Sequence, residues 1–186
     1  TDIPANFATN PSEVVRVLDI RTITNGPTPK DQWFTTQHYG HPTVDVATFR
    51  LKITGLVDHA KSFSVDEVKA MGKDDVPAGF ECSGNGRGRI QGFASNGRWT
   101  GVPLKKVLKE AGLKSNGYEI VFFGADHGEE EAEFRQTKVK LDQAFGRSIP
   151  REKALASDAI VAYALNGEPL TKHQGAPLRL IVPGWY

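Results

Sequence analysis

Apolar and polar residues first alternate clearly at Phe49, Leu51 and Ile53 against Arg50, Lys52 and Thr54, the period-two pattern of a strand with one buried face. Gly55 ends that strand. Residues 1–47 carry little periodicity and two turn signals, Asn25-Gly26-Pro27 and His41-Pro42. They read as an extended segment packed over a domain spanning 48–186. Ser64 and Glu67 are spaced as a capping box and predict a short helix through Val68 to Met71. Val76 to Glu81 predicts a strand that runs into Cys82-Ser83-Gly84-Asn85-Gly86-Arg87-Gly88-Arg89, too glycine-rich for the interior of either element. Pro103 opens a helix with Leu104, Val107 and Leu108 on one face, and Gly112 closes it. Tyr118 to Phe123 predicts a strand, Gly124 to Gly128 a tight loop, and Glu129 to Glu131 a solvated acidic face. Lys153 to Ala156 reads as a helical turn, Ala159 to Leu165 as a strand with Asn166-Gly167 as its hairpin turn, and Leu178 to Val182 as the last strand. Strands and short helices alternate without a βαβ rhythm, which predicts an α+β fold of mixed β-sheets and short helices.

Composition narrows the function classes. The 186 residues fit one domain with a sizeable core. Net charge is +1, from 23 basic and 22 acidic residues. Such a balance provides no broad field for nucleic acid or an acidic membrane, so an anionic partner must be held by local groups. One cysteine excludes an internal disulfide and a multi-cysteine zinc site. No apolar run reaches the roughly 18 residues of a membrane span. The chain begins at Thr1, and Pro183-Gly184-Trp185-Tyr186 ends in mid-turn, so the natural protein is expected to continue.

Four polar loops concentrate the candidate chemistry: Phe34 to His38, Cys82 to Arg89, Asp126-His127, and His173 to Arg179. Small neighbours leave the Cys82 sulfur approachable, and Arg87 and Arg89 favour its thiolate, a soft ligand for a thiophilic metal. The competing reading is a buried apolar cysteine. The glycine-rich loop reads equally as an anion cradle or a tight turn. Asp126 can accept N–H groups of a heterocycle or cap a turn before Gly128. Arg179 lies in an apolar strand, where burial demands an anionic partner and exposure demands none. His38, His41, His59, His127 and His173 are enough imidazoles for zinc, but no HxxxH or HxH spacing supports it.

Glu81-Cys82-Ser83-Gly84-Asn85 resembles the E-C-[SA]-G-N motif of the sulfite oxidase family. Arg98-Trp99-Thr100-Gly101-Val102-Pro103-Leu104 resembles its R-W-x-G-x-x-L segment. Asn166-Gly167-Glu168-Pro169-Leu170, Gly175-Ala176-Pro177-Leu178-Arg179 and Val182-Pro183-Gly184 resemble its closing segments. Order and approximate spacing agree from about residue 33 to 186. The resemblance implies a molybdopterin-binding oxidoreductase domain with the molybdenum cofactor. It implies Cys82 as metal ligand with Ser83 beside it, and Phe34, His38, Asp126 and Arg179 lining the pterin and its phosphate. The family's D-H-G becomes His173-Gln174-Gly175 here, so the pterin-facing residue is His173 or Gln174. Thr36 stands where the family has an arginine that helps hold the oxyanion, leaving Arg87 as the substrate cation. The implied activity is oxidation of sulfite or a related small oxyanion by oxygen-atom transfer at molybdenum, with electrons passing to a separate acceptor such as a cytochrome c. An exported, periplasmic protein and a homodimer through a domain beyond Tyr186 are also implied. Two competing functions are a non-catalytic pterin-binding module of the same fold and a hydrolase using Cys82 as nucleophile with His38 or His127.

Overall fold

A computed structural model describes residues 15–86 and 92–185. The architecture is mostly strand with a few short helices, as the α+β expectation required, and every strand pairing described is antiparallel.

The centre is a five-stranded sheet. Its strands are β5 (Asp74–Glu81), β6 (Ala94–Pro103), β9 (Ile160–Leu165), β10 (Glu168–Pro169) and β11 (Arg179–Ile181), in the order β10-β9-β6-β5 with β11 also on β9. Alternation divides β9 between two cores: Ile160 and Ala162 enter one with Trp33, Phe34, Phe93 and Trp99, joined by Leu165 beyond a register shift, while Val161 enters another with Val68, Val102, Val107 and Leu108. The sheet is thus covered on both faces, which is why β9 reads as a continuous apolar run. Asn166 and Gly167 turn the chain from β9 into β10 with φ of 53° and 84°, the backbone a two-residue hairpin requires.

The sequence pattern misses β6 because Gly97, Gly101 and Pro103 interrupt it. The glycines are there for close packing. A Cβ at Gly97 would lie 2.7 Å from both Leu165 Cδ1 and Trp33 Cζ3, and one at Gly101 would lie 2.6 Å from Ala162 Cα. Pro77 is tolerated because β5 pairs only with β6 and forms an edge.

The helices follow the pattern. In α1 (Val65–Ala70) Ser64 and Glu67 form both halves of the capping box. In α2 (Leu104–Ala111) Leu104, Val107, Leu108 and Ala111 are buried, and Gly112 closes the helix at φ 69°. The turn expected at Lys153 to Ala156 is α3 (Arg151–Ala154), two residues earlier.

Two smaller pairs complete the N-terminal half: β1 (Val15–Arg16) with β2 (Thr35–Thr36), and β3 (Leu51–Ile53) with β4 (Lys61–Phe63). Residues 15–47 pack on the central sheet. Thr28 N donates to Asn96 O at 2.8 Å, Lys30 Nζ meets Glu168 Oε2 at 2.5 Å, and Trp33 and Phe34 join the core.

The largest departure is at 124–128. No tight loop forms there. The chain stays extended through β7 (Glu119–Phe134), which pairs with β8 (Thr137–Pro150), a strand the sequence reading missed. The ladder slips between Phe123 and His127, so the glycines accommodate a bulge in a long ribbon and not a turn. Glu129 and Glu131 are exposed and ion-paired to Lys140 and Lys138, as a solvated face should be. Glu130 points the other way.

Candidate functional site

Cys82 follows the last residue of β5 and extends its ladder by one bond, Cys82 N to Phe93 O at 3.0 Å. The side chain is half-buried against the aromatic core, and Gly84 N approaches its sulfur at 3.4 Å. Ser83 beside it is exposed. Asn85 Nδ2 bonds Glu81 Oε1 at 3.0 Å, and Asn85 Oδ1 accepts from Phe93 N at 3.0 Å, so both ends of the motif are tied. Arg87 lies outside the described residues.

Two residues before Cys82, on the same face of the strand, Phe80 forms an aromatic cluster with Trp33 and Trp99, with centroids 5.2–6.0 Å apart. The Arg179 guanidinium lies over this cluster, 5.0 Å from the Phe80 centroid and 5.3 Å from that of Trp99. Part of Arg179 reaches the surface, but its guanidinium is surrounded, and burial pushes its pKa down to about 10. Its one hydrogen bond among the described residues goes to Gln174 O at 3.3 Å, and no carboxylate pairs with it. Trp99 Nε1, beneath it, is the one buried side-chain polar atom left without a partner among the described residues. A desolvated cation with most of its five donors unused is a seat for an anion.

Phe34 is buried beside Phe93 at 5.9 Å and anchors its backbone N on Ser95 Oγ at 3.1 Å. It shares the core that seats Cys82. Gln174 is also buried, but its amide is committed: Oε1 accepts from Thr171 N at 3.2 Å and Nε2 donates to Lys30 O at 3.3 Å. The Gln174 side chain thus caps a 3₁₀ turn (Lys172–Gln174) and ties it to the N-terminal segment. His173 is half-buried on that turn. Its Nδ1 meets His41 Nε2 at 3.1 Å, and its carbonyl accepts from Thr35 Oγ1 at 3.4 Å.

His38 and Tyr39 meet the β7–β8 ribbon at a second locus, near Asp126. His38 Nε2 and Tyr39 Oη both bond Glu130 Oε1, at 2.9 and 3.0 Å, and Gln143 Nε2 donates to Tyr39 Oη at 3.3 Å. These bonds, Tyr39's first, hold the Glu130 carboxyl below its usual range, while burial pushes the Tyr39 hydroxyl up. Asp126 lies near enough to act on Tyr39 electrostatically. Tyr39 and Glu130 were missed by the sequence reading, because contact across 91 residues leaves no mark in local pattern. Gly128 makes the contact work, since a Cβ there would lie 2.6 Å from Tyr39 Cε1. Gly128→Ala is therefore expected to displace Tyr39 and cost about 1–3 kcal/mol. A thermal melt within error of wild type would refute it.

No histidine bonds Cys82 among the described residues. His38 is engaged by Glu130, and His127 Nδ1 lies 3.7 Å from Asp142. The nucleophile–base pair of a cysteine hydrolase is thus not formed. Among the described residues, no three His, Cys, Asp or Glu side chains converge as a metal site, and no helix is long and apolar enough to cross a membrane.

A family model described as the oxidoreductase molybdopterin binding domain matches residues 38–186. Mitochondrial sulfite oxidase of Drosophila melanogaster is 31% identical over 172 residues, covering 84% of this chain and 28% of the fly protein. The NADH nitrate reductase of Volvox carteri is 33% identical over 174 residues, covering 85% of this chain and 19% of that protein. Among solved structures, the sulfane dehydrogenase SoxCD of Paracoccus pantotrophus superposes with a TM-score of 0.76 at 26% identity, covering 100% of this chain and 51% of that one. The chain thus spans less than a third of those two curated relatives and about half of the solved one.

Proposed function

The chain belongs to the oxidoreductase molybdopterin-binding domain family, that of molybdenum-dependent oxidoreductases, and from that premise we propose that it oxidises sulfite or a related small oxyanion and passes the electrons to a separate acceptor such as a cytochrome c. The observation that carries the reading is the shared face of β5. Cys82 presents a soft sulfur at its end, and Arg179 presents a cation with no carboxylate partner among the described residues over Phe80, two residues away. The residues fit the group the family implies. Cys82 would hold the metal. Arg179 would hold the pterin's phosphate, which would repay the desolvation of the guanidinium. Phe34 would pack beneath, and His173, His38 and Asp126 would supply polar edges from two loci. When bound, the cofactor supplies oxygen-atom transfer and two-electron redox chemistry. The protein's part is to hold it, exclude water with the aromatic cluster and steer the anion, the last task assigned to Arg87 by its place in the motif. The relatives include both sulfite oxidases and nitrate reductases, so the substrate is what an assay must decide.

Protein purified from a host that makes the cofactor is expected to contain molybdenum and fluorescent pterin, and to reduce an artificial acceptor with sulfite. Loaded protein that is inert toward sulfite but turns over nitrate or a sulfane-sulfur donor would overturn the substrate assignment. Protein from the same host without molybdenum would overturn the cofactor assignment.

A further inference from the structure

The β5–β6 ladder ends at the pair Glu81–Ala94, with Cys82 N to Phe93 O one step beyond. The chain then reverses sharply: Asn85 N donates to Cys82 O at 2.8 Å and Gly86 N to Gly84 O at 3.0 Å. A turn built with glycines has little intrinsic stiffness. Among the described residues, the Asn85 side chain ties it to both strands. The Asn85 amide donates to Glu81 Oε1 on the strand before Cys82 and accepts from Phe93 N on the strand opposite, both at 3.0 Å. The carboxamide therefore spans the cysteine with its donor on one side and its acceptor on the other. With the turn closed in this way, Gly84 N sits 3.4 Å from Cys82 Sγ.

We infer that Glu81 and Asn85 are positioning residues that fix where and how Cys82 presents its sulfur. The inference rests on the reading of Cys82 as the metal ligand. An N–H group directed at a ligating sulfur orients its lone pairs and tempers its donation to the metal, and neighbours that orient a ligand carry large leverage on metal retention. Glu81 is exposed, so its bond to Asn85 contributes little to global stability, while the part-buried bond from Phe93 N to Asn85 Oδ1 contributes modestly. That contrast separates positioning from a structural role: the sulfur should respond strongly and the melting temperature weakly.

The test compares wild type with Asn85→Ala, Glu81→Ala and Glu81→Gln, using three readouts. The first is the rate at which iodoacetamide alkylates metal-free protein, unambiguous because Cys82 is the chain's one cysteine. The second is molybdenum retained per chain after gel filtration, and the third is Tm. For Asn85→Ala, alkylation is expected to rise about threefold as the sulfur loosens, and retained molybdenum to fall about tenfold. Its Tm should stay within about 4 °C of wild type. Glu81→Ala should move the first two readouts in the same direction by less, and it keeps the test open if Asn85→Ala does not fold. Glu81→Gln, which keeps an oxygen acceptor for Asn85, should behave as wild type. Wild-type alkylation or wild-type molybdenum in both alanine variants overturns the inference. A Tm drop of about 10 °C or more in both reassigns the pair to holding the fold together and overturns it equally. A wild-type protein that holds no molybdenum sinks the cofactor reading, while the alkylation rates still decide whether the pair positions the thiol.

Discussion

Cys82→Ser is expected to leave a folded chain that carries essentially no molybdenum, where the wild type carries a stoichiometric complement. Serine keeps the size and loses the softness. Its hydroxyl is a harder donor that stays protonated where a thiol can ionise, and it binds a thiophilic metal poorly at neutral pH. The fold should barely respond. Cys82 packs only partly against the aromatic core, and its backbone bonds to Phe93 and Asn85 survive the change. A loss of about 1 kcal/mol, or roughly 2–4 °C in Tm, is the expected size. Metal analysis by mass spectrometry alongside a thermal melt separates the two effects. A serine variant that keeps its molybdenum would remove Cys82 from the metal, and with it the reading of the β5 face. A variant that fails to fold would show that the residue is structural first.

Gly101→Ala is expected to be the most damaging single methyl group in the central sheet. A Cβ at that position would run into Val161 O and come within 2.6 Å of Ala162 Cα. Those are backbone atoms of β9, which cannot rotate away as a side chain would. The β6–β9 register already shifts between Thr100 and Gly101, so β9 is held close at this point by the absence of a side chain. Separating the strands would cost about 3 kcal/mol, a fall in Tm of about 6–12 °C. The damage reaches the site too, because Ala162 pairs with Arg179 on its far side, so a displaced β9 carries the guanidinium off Phe80 and Trp99. Gly79→Ala is the control, since a Cβ there meets nothing within 4 Å, and it should change stability by about 0.5 kcal/mol or less. Equal melting of the two variants would refute the close-packing argument.

Elements whose stabilising interactions are local were legible in the sequence. The Ser64–Glu67 capping box, the α2 face closed by Gly112, and the β9 run with its Asn166-Gly167 turn all follow from spacings of a few residues. The same local reasoning failed at β6 and at 124–128. There glycine was taken as punctuation, whereas it marks places where another part of the chain must come close: Ala162 against Gly101, Tyr39 against Gly128. The bonds of Gln174 were illegible for a related reason: its amide meets Thr171 and Lys30, and a lysine carbonyl 144 positions away is not visible in a local pattern.

The sequence by itself determined the class of chemistry through several family motifs kept in order, because residue types alone left Cys82 open between a metal ligand and a buried apolar cysteine, and Arg179 between a buried and an exposed strand arginine. Only the tertiary structure decided that Arg179 meets no carboxylate among the described residues and lies over the aromatic cluster leading to Cys82, that Glu130 occupies His38, and that Asn85 spans the cysteine. Such facts depend on which distant side chains exclude water around a group and which of its hydrogen bonds they take. Both are set by how strands pair and pack over long separations, and local periodicity does not encode them.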